Sequence, residues 1–374
     1  MYRLLHIITD TNIGGAGVLL LNQLRHFDRN RFDITILLPH GSELATRVRA
    51  LDYPVIFSRH GADASFQFGA VREYRKLIRQ LSPDIVHCHG ALSARIAAKQ
   101  VGVPVRIFTR HCAYPPHGFV TTAPARWFYG QVTGKLSTGI VAVAKAARDD
   151  LLALGADPDA IRVIINGSEA QRRLDQDQRA EMRKKLGIGD TDIVAGMFAR
   201  LEECKGHRYF LEALSRLPSD SRIRGLICGR GSLDGELRAM AERLGIGSRV
   251  IFTGFCPDIA PYMNVTQINV NCSVGTETSS LALSEGMSLG LVPVVSNYGG
   301  NGDMVRDGTD GFVIPVADPD ALAEVLRRLE VDKGLLDSMN REAIRSFNER
   351  FTAVRMTREL EDFYLSQLAA VGRT

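Results

Sequence analysis

A chain of 374 residues, 45% hydrophobic and 24% charged, can bury the cores of about two domains at roughly 100–200 residues each, and it carries no low-complexity block or repeat, so disorder and solenoids are excluded. A net charge of +4 speaks against a dedicated nucleic-acid binder, no stretch joins the length and apolarity of a membrane span, and the opening Met1–Asp10 is too short in apolar residues for a signal peptide, so a cytoplasmic protein is expected. The six cysteines form no C-x-x-C pair and sit mostly in apolar runs, as small hydrophobes do, so disulfides are not expected.

In chain order, apolar strand-like runs alternate with helix-period runs, the pattern of parallel sheets covered by helices on both faces. Strands are expected near Tyr2–Thr9, Phe32–Pro39, Pro54–Ser58, Asp84–His89, Val105–Arg110, Gly139–Ala144 and Arg162–Ile165, with helices such as Ala16–His26, Val71–Leu81 and Leu92–Gln100 between them. The alternation restarts near Ile193–Phe198, Arg224–Cys228, Val250–Thr253, Ile268–Cys272, Val292–Ser296 and Gly311–Ile314. The polar stretch Asn166–Gly189 separates the two series, which gives a first domain over residues 1–170, a linker over 171–189 and a second domain over 190–351. Helical patterns at Pro319–Glu330 and Gly334–Arg350 precede Thr352–Leu368, after which no strand follows, so residues 352–374 are expected as a terminal helix that packs back across the junction onto the first domain. The fold class is α/β: two doubly wound, Rossmann-like domains facing across a cleft, with chemistry beyond the carboxyl ends of the strands.

Charge is unevenly placed along this plan. Residues 1–170 carry 20 Lys+Arg against 13 Asp+Glu and eight of the nine histidines, whereas residues 171–374 carry 26 against 29. A basic first half suits a phosphorylated acceptor or an anionic bilayer surface, and a merely solvated basic face satisfies the same numbers. The run Arg126-Trp127-Phe128-Tyr129 with Lys135 adds aromatics and cations on one helix, a combination of membrane interfaces and also of cores with snorkelling charges.

Four places at strand ends can carry chemistry. Gly14-Gly15-Ala16-Gly17 follows the first strand, where glycines admit a ligand to the backbone and aim helix amides at an anion; Leu20 stands where a dinucleotide fingerprint needs its last glycine, and no acid ends the second strand. Arg200 and Lys205 follow the strand Ile193–Phe198 and can clamp a diphosphate, or else pair with Glu202 and Glu203 as surface charge. Glu277 and Glu285 flank the start of an unusually apolar helix capped at Ser279 or Ser280, on the order of 10 Å apart at about 1.5 Å rise per residue. That separation suits an extended ligand with hydroxyls at both ends and phosphate between, and it exceeds the 5–5.5 Å or 6.5–9.5 Å of hydrolytic carboxylate pairs.

The fourth place holds histidines. His87 and His89 share one face of their strand, and His111 follows the next strand and precedes the irregular loop 112–122, placed to bond a substrate or to sit satisfied in the interior. No usual metal-ligand spacing occurs among them, so no metal site is assigned. Four Asp-x-Asp triplets begin at Asp157, Asp175, Asp190 and Asp318; two enclose proline as caps and turns do, and none is assigned to metal.

This ordered set resembles the family 4 glycosyltransferases, retaining enzymes of the GT-B fold, over nearly the whole chain. The likeness runs through Gly14–Gly17, Pro83–Gly90, Thr109-Arg110-His111, Val163–Gly167, Arg200 with Lys205-Gly206, Gly229-Arg230-Gly231, Val250–Gly254 and Glu277-x7-Glu285 before Gly299-Gly300. The resemblance implies that Glu277 holds donor-sugar hydroxyls and Glu285 the ribose. Arg200, Lys205 and the amides near Ser280 and Leu281 would neutralise the diphosphate, and Gly14, Gly15 and Gly229 would bring backbone to the donor, with Gly15 able to reach the acceptor. His111 would contact the sugar. Thr278-Ser279-Ser280 replaces the family's frequent aromatic-glycine pair and Ala144 a frequent serine, departures that bear on donor identity.

The implied activity is metal-independent, retaining hexosyl transfer from a nucleoside-diphosphate sugar, UDP-linked by expectation, to a glycan or lipid-linked acceptor in surface-polysaccharide assembly. It needs no cofactor and no nucleic-acid partner, and it places the enzyme against the inner face of the membrane. Two other readings stay open: a sugar-nucleotide epimerase or hydrolase on the same fold, and a non-catalytic sugar-nucleotide-binding protein.

Overall fold

The computed structural model describes residues 1–112 and 122–373, and these divide into two compact units, Met1–Gly167 with Ala353–Thr374, and Ser168–Thr352. The expected strands form, with small shifts at their ends. In the first unit, β1 (Tyr2–Ile8), β2 (Phe32–Pro39), β3 (Val55–Ser58), β4 (Ile85–His89), β5 (Val105–Arg110), β6 (Gly139–Ala142) and β7 (Ile161–Val163) make one sheet of order β3-β2-β1-β4-β5-β6-β7. Every neighbouring pair is parallel. The strand order reverses between β1 and β4, the place where doubly wound sheets open a crevice at their carboxyl ends.

Alternation along the buried strands sends side chains to two helical layers. One face carries Leu4, Ile8, Ile85, Val105 and Ile107 against the helix Gly15–Leu24 and the last helix, Ala353–Ala370, whose Met356, Leu360, Tyr364 and Leu368 are buried there. The other carries Leu5, Ile7, Val86 and Cys88 against the helices Phe68–Leu81 and Leu92–Val101. The last helix is thus an integral layer of the first unit. Its Phe363 ring reaches Gly139 so closely that a β-carbon there would lie 2.6 Å from it.

The second unit repeats the plan with β8 (Ile193–Phe198), β9 (Ile223–Cys228), β10 (Val250–Gly254), β11 (Ile268–Asn271), β12 (Val292–Ser296) and β13 (Phe312–Ile314), in the order β10-β9-β8-β11-β12-β13 and parallel throughout. Its switch point lies between β8 and β11. Phe210, Leu214, Leu237, Leu322 and Leu326 cover one face, and Met182, Ile188 and Val265 meet Val194 and Leu226 on the other.

The stretch read as a linker is structured. Residues Gln176–Lys185 form a helix opened by a reciprocal capping box, in which Asp175 accepts from the Gln178 amide and the Gln178 side chain accepts from the Asp175 amide. Such a cap contributes about 1 kcal/mol. The units divide between Gly167 and Ser168, so residues 168–189 belong to the second unit.

Candidate functional site

The second unit gathers its charges at the carboxyl ends of β8 and β11, on either side of its switch point. After β8 the chain turns through Arg200, the short turn Glu203–Lys205 and Gly206 before the helix His207–Arg216. Gly206 has φ +69°, and a β-carbon there would stand 2.1 Å from the Cys272 carbonyl oxygen, so only glycine lets this loop close onto the end of β11. Val274 and Gly275 amides then donate to the Cys204 carbonyl. This close approach carries Lys205 to Glu277.

Lys205 Nζ lies 2.8 Å from Glu277 Oε2, with side-chain exposures of 17% and 8%. Asn271 Nδ2 donates to the same oxygen at 3.2 Å and Ser273 Oγ at 2.9 Å. Burial pushes the Glu277 carboxyl up, but the Lys205 ammonium and these donors outweigh it and hold it below its ordinary value. All three bonds converge on Oε2, and Oε1 takes none among the described residues. The residue before it, Thr276, is β-branched and held at φ +51°, a conformation that costs of order 1–3 kcal/mol.

Local pairing of Lys205 with Glu202 or Glu203 does not occur. Glu202 instead accepts from the Ser232 amide and hydroxyl, and its carboxylate also feels Arg200. Arg200 itself is exposed.

The helix Leu281–Leu289 starts from Ser280, whose side chain makes no capping bond, so its hydroxyl does not take up the amides of the first turn. Glu285 lies one turn inside. Its carboxyl meets no cation or donor among the described residues, and burial alone pushes it up to about 7. Gly229, after β9, packs against the loop after β8: a β-carbon there would stand 1.9 Å from the Ala199 carbonyl oxygen. That glycine is therefore demanded by packing, whatever else it does.

In the first unit, Gly14 precedes and Gly15 begins the helix after β1. A β-carbon on Gly15 would meet nothing within 4 Å, and one on Gly14 only Asn12 Oδ1 at 3.6 Å, so the fold itself does not require these glycines. The histidines form a cluster that includes one the sequence reading did not single out. β1 and β4 pair His6 directly with His87, and ring nitrogens of His6, His87 and His89 lie within 4.8 Å of one another. His87 is bonded on one side to Tyr364 and on the other to Thr109 Oγ1 at 2.6 Å, while His89 bonds His6 and His111. Burial lowers all four, His6 to about 3 and His111 to about 4.

The Asp-x-Asp triplets all serve the structure. Asp157, Asp175 and Asp318 accept from amides at helix starts, and Asp192 pairs with Arg224 at 3.0 Å. Trp127 and Phe128 are 67% and 64% exposed on the helix Ala123–Leu136. Of the loop 112–122, residues 113–121 lie outside the described residues. Among the described residues no helix is long and apolar enough to cross a membrane.

Sequence reading missed Asn271, Ser273 and His6. An Asn-x-Ser at the end of β11 is a weak signal, but its position beside the switch point could have found the first two; the third needed the β1–β4 register.

Residues 13–172 match the family model described as Glycosyltransferase Family 4, and residues 178–346 the model Glycosyl transferases group 1. The chain is 24% identical over 386 residues to the UDP-Gal:alpha-D-GlcNAc-diphosphoundecaprenol alpha-1,3-galactosyltransferase of Escherichia coli, covering 98% of this chain and 97% of that one. It is 27% identical over 274 residues to a D-inositol 3-phosphate glycosyltransferase of Streptomyces bingchenggensis, covering 68% and 60%. In fold it is similar to Anabaena HepE solved in complex with UDP, with a TM-score of 0.84, 19% identity and coverage of 98% and 100%.

Proposed function

We propose that this chain, a glycosyltransferase of the GT-B type, moves a hexosyl group from a UDP-sugar to a glycan or lipid-linked acceptor in surface-polysaccharide assembly, with retention and without a metal. The observation that carries this reading is the asymmetry of Glu277. One oxygen is anchored by Lys205, Asn271 and Ser273, and the other is left to accept hydroxyls of a donor sugar. Glu285, kept from any counter-charge, is suited to the paired hydroxyls of a ribose, which bind its ionised form.

Between these carboxylates the leaving diphosphate meets Arg200, the two remaining ammonium protons of Lys205 and the N-terminus of the helix Leu281–Leu289. As the bond from the anomeric carbon to the phosphate oxygen breaks, negative charge grows on that oxygen, and fixed cations and amides stabilise it without reorganising. In a front-face displacement the departing oxygen takes the acceptor's proton, so the chain need supply no separate base. All four Asp-x-Asp triplets are occupied with caps or ion pairs, which supports metal independence. Support for the donor and acceptor classes comes from the UDP in the Anabaena neighbour and the lipid-linked acceptor in the Escherichia coli relative's name.

The test is incubation with UDP-sugars, with and without an undecaprenyl-diphosphate-linked sugar, in EDTA. Acceptor-dependent release of UDP with retained anomeric configuration is expected. Release of the sugar, or its alteration, without acceptor would instead favour the hydrolase or epimerase, and binding without turnover the silent protein.

For the acceptor side, the basic first half and the exposed Trp127 and Phe128 support docking at the anionic inner face of the membrane, each cation near the surface adding about 1 kcal/mol that fades with salt. Flotation with acidic liposomes at low salt, reduced in an Arg126→Ala, Trp127→Ala variant, is the expected outcome. No flotation by the wild type would leave a soluble acceptor.

A further inference from the structure

The surplus of positive charge in the first unit is concentrated beside one helix. Residues 59–80 carry Arg59, Arg72, Arg75, Lys76 and Arg79 against two acids, Asp63 and Glu73. Both acids are spent elsewhere. Asp63 accepts from the Thr11 amide and hydroxyl, and Glu73 accepts from the Arg59 and His60 amides and bonds the His60 ring. None of the five cationic side chains has an ion pair or a hydrogen bond among the described residues, and Arg75 Nε is buried without a partner. All five line one open groove of about 760 Å³.

The helix Phe68–Leu81 buries Ala70, Tyr74 and Ile78, four residues apart, and turns Arg72, Lys76 and Arg79 to solvent. Its solvent side also begins with an aromatic. Phe68, one turn before Arg72, is 83% exposed and meets Phe66 edge-on at 4.9 Å, and Phe66 is exposed as well. The pair is held in place. The Ser93 amide donates to the Ser65 carbonyl, the Gln67 amide donates to Ser93 Oγ at 2.8 Å, and the Gln67 side chain accepts from the Gly61 amide at 2.9 Å. Residues on both sides of Phe66 are thus tied to Ser93 of the helix Leu92–Val101, so the rings are presented from fixed backbone and docking costs little ordering entropy.

We infer that this face of the first unit is a docking surface for an anionic bilayer, with the helix Phe68–Leu81 lying along the headgroups and Phe66 and Phe68 entering the interface at its start. Arg72 and Arg79 are about 10 Å apart along the axis at 1.5 Å per residue, so the cations suit a row of headgroups better than a single phosphoryl group. A soluble polyanion would use the cations and leave the exposed rings without a role, whereas the boundary between headgroups and acyl chains takes both. The helix Ala123–Leu136, which also packs on Leu92–Val101, adds Arg126 and Trp127 as a smaller contact. The inference rests on the membrane-docking part of the proposed function and names the face that carries it; it needs no substrate and no turnover.

The test is flotation of full-length proteins with vesicles of phosphatidylglycerol in phosphatidylcholine at low salt. Each cation near an anionic surface changes the partition by about fivefold, so the Arg72→Gln, Lys76→Gln, Arg79→Gln variant should bind about 10²-fold more weakly, and the Arg126→Ala, Trp127→Ala variant about tenfold. Phosphatidylcholine alone, or high salt, should abolish most of the wild-type binding. The three glutamine substitutions fall at exposed positions without partners, so the unfolding midpoint should not move.

Trp127 is the only tryptophan of the chain, so a Phe68→Trp, Trp127→Phe variant reports on the helix start alone. On acidic vesicles its emission should shift to the blue and be quenched by brominated lipid. A triple glutamine variant that floats as well as the wild type, or an emission unmoved on bound vesicles, overturns this face and leaves docking by another surface standing. A wild type that floats on no vesicle overturns the face and the docking together, as does one that binds soluble polyphosphate and no vesicle.

Discussion

The two sheets share a strand order and a switch point, yet they spend their buried polarity in opposite ways. The first places neutral rings at its switch point, bonded to one another and to Tyr364 and Thr109. The second keeps full charges there, Lys205 against Glu277, and leaves Glu285 without a counter-charge. Neutral hydrogen-bonded rings satisfy a core at little electrostatic cost. A buried ion pair costs several kcal/mol of desolvation per ion, so its retention points to a job that needs charge. On the proposed function, that contrast assigns the diphosphate to the charged switch point of the second unit, while the first unit offers neutral polar groups.

The sharpest way to break this contrast is Lys205→Ala. It leaves the Glu277 carboxylate buried without its cation and should cost about 3–5 kcal/mol in chemical denaturation, with transfer lost. Lys205→Met together with Glu277→Gln should recover much of the stability and none of the activity. If the double variant is as unstable as the single, the pair is not what holds this loop.

Arg200→Ala comes next and tests chemistry without stability. Removing one fixed cation from the leaving group should lower kcat by about 10²–10³-fold, in EDTA as in Mg²⁺, with the unfolding midpoint unmoved. Full rescue by Mg²⁺ would show that a metal can take over the charge and would count against the metal-free reading.

For Glu285 the sign follows from a folded value raised from 4.5 to about 7. The native carboxyl holds its proton where the unfolded one has lost it, so stability present below about pH 4.5 is lost as pH rises through about 7. Affinity for UDP runs the other way, because the ionised form accepts the ribose hydroxyls, and it should tighten across the same window. Glu285→Gln should flatten both profiles and weaken UDP by about 1.5–3 kcal/mol, as titration calorimetry would read. A pH-independent wild-type affinity would mean that Glu285 does not meet the nucleotide.

The smallest effect separates two buried histidines. His87→Leu strips Tyr364 and Thr109 of a partner and should cost about 1–3 kcal/mol. His207, whose ring nitrogens have no partner among the described residues, is buried, and His207→Leu should be neutral or stabilising by thermal melt.

Much of the fold was legible because buried parallel strands write themselves as short apolar runs. The helix Gln176–Lys185 escaped because it buries only Met182, so it carries no hydrophobic period; its capping box was the signal available. Glu277 and Glu285 could be singled out as an acid beside and an acid inside an apolar helix. The partner of Lys205 could not, since Glu202 and Glu203 are adjacent in sequence and Glu277 is brought in only by the parallel pairing of β8 with β11. His6 was hidden for the same reason: a histidine in an apolar strand says nothing until the neighbouring strand is known.

The place of the helix Ala353–Ala370 sets the order in which the chain can be completed. The first unit is discontinuous: its first 167 residues are followed by the whole of the second unit before the helix that covers Phe27, His87 and Gly139 is made. At about 5–20 residues per second of synthesis, the 168–352 insertion keeps that sheet face uncovered for roughly 10–40 s on the ribosome. During that interval the second unit can finish folding while the first cannot. The helix made after the insertion therefore closes the unit begun before it, and a chain cut short before Ala353 exposes the apolar face of a nearly finished sheet to chaperones and proteases.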